Sequence, residues 1–472
     1  MDKGDMMPIK TLTFGDSLAG LLVDGVEGTP YVVATLTYSE TRGVRLEVPY
    51  IHHSDQEQFA NAEKWFETGA PPKNLMFITH GGVIYLFGCR YSGHSMNFGH
   101  GHAAGFITPD EVVLANRDGD LTEDLKVSEF TSELDALFEW TRFRAVHHER
   151  ETNEEGRVNK VTITAESMEG VSWTQGEAEM KLNTSWSTSD SSPGFQITEW
   201  VALQSTFPTP RPMKEHLSEQ RKLASLLKLA FGQPIYFRRH KIRDDLFADT
   251  ALNGRTLGKS FHEAISHRTF RDFSQPKPER KKFRQPVFYL AQVGGEGLER
   301  WGLNYEPWKR FIEPAVSVLS RPGTVLENLV VNASMSLEAA GSLLGHISGE
   351  EETHNGSGYP TTATYVLRAI LSLDIDWQRL SESPTALARA ISKNYNTIKH
   401  FDRGVFPDPI ETYFVSEFAM TIVRLVATNL VDPTGQLVRD YATSSSFDEL
   451  VEMCRRHDRF VGPNGAFINY PS

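Results

Sequence analysis

Apolar residues change their spacing partway along the chain. Up to about residue 107 they come in short alternating runs, such as Tyr31 to Thr37 and Val44-Arg45-Leu46-Glu47-Val48, broken by Gly, Pro and His. Period-two alternation predicts half-buried strands. Met76-Phe77-Ile78 and Val83-Ile84-Tyr85-Leu86-Phe87 flank Gly81-Gly82 and predict a hairpin. Val112-Val113-Leu114 reads as strand, as do residues 158–164 and 195–202, the last two separated by a Ser/Asp-rich loop over 185–194. Helical spacing is first sustained over 214–231, with Leu217, Leu223, Leu226, Leu227 and Ala230 inward, and Gly232 and Pro234 as the stop.

Beyond Trp301 the pattern predicts helix after helix: one from near Trp308, then 325–346, 361–373, 384–403, 410–431 and 447–460. Asp408-Pro409-Ile410-Glu411 opens the fifth like a capping box, and Asp432-Pro433 closes it. Short connections between long amphipathic helices point to an antiparallel bundle. The Pro- and Lys-rich stretch 274–282 has linker composition. The expectation is therefore an α+β protein with a β-rich region over 1–270, a basic linker over 271–300 and a helical domain over 301–472.

Composition narrows this picture. A chain of 472 residues is long for one core, and two or three domains are expected. No apolar stretch reaches the roughly 18 residues of a membrane span, and the best candidate, 418–431, contains Arg424 and Asn429. The first residues lack the layout of a secretory signal, and two distant cysteines, Cys89 and Cys454, fit a reducing compartment, so the expected location is the cytoplasm. With a net charge of −13, any nucleic-acid contact must come from a local patch. Two basic clusters, Arg238 to Arg243 and 277–284, could track phosphates. Solvation or pairing with carboxylates is the preferred reading of both.

Three further motifs are set aside. Gly99-His100-Gly101-His102-Ala103-Ala104-Gly105 has the glycines of a nucleotide loop, but the apolar run that follows reads as strand and offers no helix N-terminus. Cys89, His94, His100 and His102 lack a zinc spacing and read as a turn with exposed histidines. Around Asp118-Gly119 the glycine is misplaced for a calcium loop, so a turn is expected.

The helix over 384–403 carries the best chemistry. Leu387, Ile391, Tyr395 and Ile398 form its apolar stripe, while Arg389, Lys393, Asn396 and His400 fall on the opposite face. A base beside cations suits phosphodiester chemistry. Lys393, Asn394 and His400 resemble the R-x(4–6)-H motif of HEPN domains, with lysine in place of arginine. Residues 325–340 resemble the first long HEPN helix, with its characteristic glutamate at Glu338. The rest of the chain is similar to ApeA-type proteins, which join an N-terminal ApeA domain to a C-terminal HEPN domain. Asn74 to Cys89, Ser132 to Trp140 and His216 to Pro234 carry that likeness.

The resemblance implies a metal-independent endoribonuclease of bacterial anti-phage defence, acting by abortive infection without a cofactor. His400 would be the general base or acid and Lys393 the charge-neutralising cation. Asn394 would orient the phosphate or hold a dimer seam, and Arg389, Lys399 and Arg403 would contact the RNA backbone. RNA, with tRNA one species such a site could take, is the expected substrate. A phage-derived protein trigger would be sensed by the N-terminal domain. The assembly would be a homodimer or a higher even-numbered oligomer, carried by a fragment beginning near residue 301, with no membrane involved. The rival reading is a catalytically silent HEPN dimerisation module with the β-rich domain as recognition surface. The lysine at 393 favours that rival, because an ammonium cannot grip a phosphate with a planar fork.

Overall fold

Both faces of the strand Gly82–Phe87 are buried, and this strand joins two hydrophobic cores. In the computed structural model, which describes residues 11–471 apart from 27, 55, 98, 100, 116–120, 122, 169, 192–193, 251–255, 280–282 and 401–404, the fold is α+β. Fourteen of the described strands form one sheet. Val83, Tyr85 and Phe87 enter one core, and Ile84 and Leu86 enter the other. Period-two geometry makes this split automatic once both faces are covered. The expected hairpin is present: Asn74–Thr79 pairs antiparallel with Gly82–Phe87, with Thr79 opposite Gly82.

The described helices are α1 (Glu57–Glu67), α2 (Leu137–Thr141), α3 (Met213–Phe231), α4 (Phe270–Phe273), α5 (Leu290–Tyr305) and α6 (Lys309–Leu319). Then follow α7 (Leu326–Leu344), α8 (Thr362–Leu371), α9 (Pro384–Lys399), α10 (Pro409–Val431), α11 (Gln436–Ala442) and α12 (Ser445–Arg456). The Ser/Asp-rich stretch expected to be a loop is instead the far end of a long hairpin, Ala178–Ser191 against Gly194–Arg211. Its polar residues are compatible with strand because this end of the ribbon is exposed, and cross-strand pairing alone satisfies the backbone.

The helical part begins at Leu290, inside the stretch read as linker. It shares its core with the sheet: Phe130, Trp140 and Leu227 belong to the same buried cluster as Trp301, Phe414 and Leu425. Three side chains fasten the halves. Trp140 Nε1 donates to the Phe288 carbonyl at 3.0 Å, and Trp301 Nε1 to the Lys222 carbonyl at 2.7 Å. Arg424 donates through Nε to the Leu229 carbonyl at 2.9 Å and through an Nη to the Ala230 carbonyl at 2.8 Å. These are last-turn carbonyls of α3, which no helical N–H can reach. Gly232, the α3 C-cap, is left-handed at φ 64°, and a Cβ there would lie 3.2 Å from the Arg424 guanidinium carbon.

Of the described helices, only α10 is long and apolar enough to cross a membrane, yet 78% of its apolar window is buried within the fold. Arg424 and Asn429 both have protein partners, the latter donating to the Ser372 carbonyl at 3.2 Å.

A fragment starting at residue 301 would sever α5 and strip α10 of α3. It is expected to lack fixed tertiary packing, whereas the whole chain should unfold cooperatively. Near-ultraviolet circular dichroism and melting of the two proteins check this, and a fragment with native-like aromatic signals would count against a shared core.

Candidate functional site

Helix α9 begins where its cap dictates: Ser383 Oγ accepts from the Ala386 N–H at 3.1 Å, with Pro384 in the first turn. Leu387, Ile391 and Tyr395 are buried and Ile398 packs against the core, as the apolar stripe requires. Lys393 is exposed and makes no ion pair among the described residues. The helix ends at Lys399, earlier than the spacing suggested. His400 is its C-cap, exposed, with φ −107° and ψ 98°, and its N–H is bonded to the Asn396 carbonyl at 3.1 Å. The helical phase thus stops one residue before His400. Arg403 lies outside the described residues.

The other expected site residues divide. Asn394 faces inward: it is 6% exposed, and its Nδ2 donates to Thr412 Oγ1 of α10 at 3.1 Å. In this chain it ties α9 to α10 and does not face a phosphate on the open side. Neighbouring helical positions are about 100° apart, so an exposed Lys393 leaves residue 394 toward the partner helix. Arg389 is half-buried and donates to the Glu352 carbonyl at 2.9 Å. Lys399 is exposed, 3.3 Å from the Tyr395 hydroxyl, and that hydrogen bond, then the charge of Glu338, raises its pKa above the ordinary lysine value. Glu338, half-buried on α7, accepts from Thr362 Oγ1 of α8 and lines a cleft of about 910 Å³ with Arg310 and Lys309. Packing of α7 beside α9 therefore places Glu338 in the field of Lys399.

One charged cluster escaped the sequence reading. Glu350, fully buried, takes both Nε and an Nη of Arg368, at 2.6 and 2.5 Å. His354 Nε2 lies 3.5 Å and His346 Nε2 3.8 Å from the same carboxylate. The fork-on-carboxylate geometry drives the Glu350 pKa down to about 2 despite burial. Its signal was the four-residue spacing His346, Glu350, His354, but the segment holding Glu350 is a 3₁₀ turn, so helical periodicity does not reveal it.

Other motifs resolve into local contacts. Cys89 is buried and donates toward the Leu86 carbonyl, with burial pushing its thiol up to about 12. His94 Nδ1 is 2.6 Å from the Tyr91 hydroxyl and His102 is exposed on a strand; His100 and the Asp118-Gly119 turn lie outside the described residues. His52, His53 and Glu63 bring three potential ligand atoms within 4.8 Å, though Glu63 already accepts from the His53 backbone N–H at 3.1 Å. The basic run at 238–243 is largely neutralised: Arg238 pairs with Asp135, Arg239 with Glu263 and Arg243 with Glu129. Arg238 also donates to the Gln275 and Pro276 carbonyls and so pins the start of the basic stretch, whose residues 280–282 lie outside the described ones.

The sequence model of one family, described as ApeA N-terminal domain 1, matches residues 26–301. That span takes in the sheet apart from its strand Ser17–Val23, together with α3 and most of α5. No curated protein and no solved structure matches the chain.

The Glu350 pair makes a signed prediction about acid. Its carboxyl titrates lower in the folded chain than its ordinary 4.5, so its stabilisation is complete above that value and is lost as pH falls toward about 2. Glu350→Gln should remove this acid dependence and cost about 3 kcal/mol near neutrality, because Arg368 is left buried without its partner. Denaturant titrations of both proteins across the acid range measure it. An unchanged acid slope in the variant would assign the dependence elsewhere.

Proposed function

The chain belongs to the ApeA N-terminal domain 1 family, and from that premise we propose that it is an anti-phage defence ribonuclease whose C-terminal helices form a HEPN-type active site. The observation that carries the reading is the exposure of Lys393 and His400, two turns apart at the C-terminal end of α9, on a helix whose other face is firmly buried. In this reading His400 takes the proton of a ribose 2′-hydroxyl. The freed oxygen attacks the adjacent phosphorus, the bond to the 5′-oxygen breaks, and that oxygen leaves with a proton. Lys393 neutralises charge gathering on the non-bridging oxygens. Lys399 is the second cation at this end of the helix. Asn394 acts at one remove, by holding α9 against α10.

The spacing favours a composite site. His400 follows Lys393 by seven positions, roughly 10 Å along a helix axis. His400, as the C-cap, has left the helical backbone, so the regular stacking of helical side chains does not bring it onto Lys393. A second copy related by a two-fold axis would set one chain's histidine opposite the other's lysine. Apolar surface beside the site fits such a seam: Val405 is 88%, Phe406 70% and Ile410 47% exposed. RNA is the substrate class, and the sheet-bearing region, with the phage-derived trigger as its input, is the regulator. The silent-module reading keeps the same seam without the chemistry, and the lysine at 393 is its support.

His400→Ala should abolish cleavage of cellular RNA in an intact, folded chain, and Lys393→Ala should reduce it at least tenfold or so. Lys393→Arg should keep or raise activity, since a guanidinium can take two phosphate oxygens. Cleavage assays on the three variants at one salt concentration decide the matter, and undiminished cleavage by His400→Ala would favour the silent module.

The seam makes a separate prediction. Phe406→Asp places a charge in it and should convert an even-numbered assembly to monomer in light scattering, with loss of cleavage. An active monomeric variant would sink the composite site.

A further inference from the structure

The same alternation that buries one face of the sheet lines up a polar row on the other. Lys181 lies opposite Gln204, Gln204 opposite Thr131, Thr131 opposite Lys241, and Lys241 opposite Glu263, so one row crosses five strands. The next rows add Asn183 opposite Ala202, Glu133 opposite Arg239, and Ser185 opposite Trp200. All of these but Glu263 line a pocket of about 380 Å³, together with Phe261 and Met168. That volume is in the range that holds one small organic ligand, and it is too small for a duplex.

The lining is built for an anion with a flat ring. Lys181, Arg239 and Lys241 supply three cations, and Glu133 is the carboxylate among the lining residues. Arg239 is shared with Glu263 at 3.0 Å, whereas Lys241 has no carboxylate in contact among the described residues and stands 5.3 Å from the Trp200 ring centroid. Burial raises the pKa of Glu133 against the opposing pull of Arg239 and Lys241, and burial, then Arg239, lowers that of Lys241, which stands in the field of Glu133 and Glu263. Trp200 and Phe261 offer aromatic surface. Thr131 Oγ1 is buried and finds no hydrogen-bond partner among the described residues, so a polar atom of a ligand would complete it.

We infer that this pocket binds a small anionic ligand with a planar ring, of nucleoside-monophosphate size, with its phosphate among Lys181, Arg239 and Lys241 and its base against Trp200. The site shares no residue with α9 and stands whether or not α9 cleaves RNA. Ser132 lines the pocket too, and its hydroxyl donates to Gln220 of α3, so one strand residue stands between an occupant and the helix to which the helical part is fastened.

Calorimetric titration of the full chain with AMP, GMP, CMP and UMP, in separate runs, tests the inference. At least one should bind, one per chain, and more tightly than its nucleoside or ribose 5-phosphate. Lys241→Gln and Lys181→Gln should each weaken it about tenfold, the loss of one charge-assisted hydrogen bond. Trp200→Leu should weaken it comparably. Lys181 is partly exposed, and its replacement keeps the test open should Trp200→Leu unfold. No binding of any of the four near 1 mM, a nucleoside binding as well as its monophosphate, or binding indifferent to both lysine changes would overturn it.

Discussion

A single guanidinium closes the end of one helix with the side chain of another, and with Trp140 and Trp301 it fastens the two halves of this molecule. Arg424 reaches from α10 to the carboxyl end of α3 and takes the Leu229 and Ala230 carbonyls. Charge at that end is also favoured by the α3 dipole. Burial lowers the pKa of Arg424, but carbonyl oxygens replace the water it gives up. Gly232 is required beside it twice over, for its left-handed backbone and for the room its missing Cβ leaves. A hydrophobic residue at 424 would strand the Leu229 carbonyl and leave the Ala230 carbonyl with the Val287 N–H alone.

This contact accounts for the division between what the sequence revealed and what it hid. Local signals read well. The hairpin at 74–87, the limits of α3 and the cap of α9 depend on turn chemistry and spacing within one element. Partners distant in sequence did not read. Pairing was among the preferred readings of the cluster at Arg238, but the partner itself was not legible, because Asp135 lies 103 residues away. The stretch at 185–191 looked like a loop because its composition is polar, although its strand partner fixes it. Residues 290–300 looked like linker because Gly294, Gly295 and Gly297 weaken the helical pattern, yet the kinked α5 is anchored by Trp301.

At the candidate site the sequence picked out residues without giving where each one points. Outward Lys393 and inward Asn394 are adjacent, and a single rotation of 100° separates a group open to solvent from one bonded to Thr412. A motif that names neighbouring residues gives no orientation, whereas the amphipathic stripe does. The Glu350–Arg368 pair was invisible for the opposite reason, since its members belong to different elements.

The order in which the sheet is strung has a consequence for how the protein is made. Val127–Leu134 lies between Gly194–Arg211 and Phe237–Arg243, so its neighbours on both sides are synthesised long after it. Ser132 and His240, bonded in the finished core, are 108 residues apart. On a ribosome adding about 5–20 residues per second, that strand waits several seconds with both edges unpaired. Topologies so rich in distant pairings fold slowly and expose sticky edges meanwhile. A chaperone that shelters the nascent chain until residue 266 has emerged would find its main task here, before any helix of the C-terminal part exists.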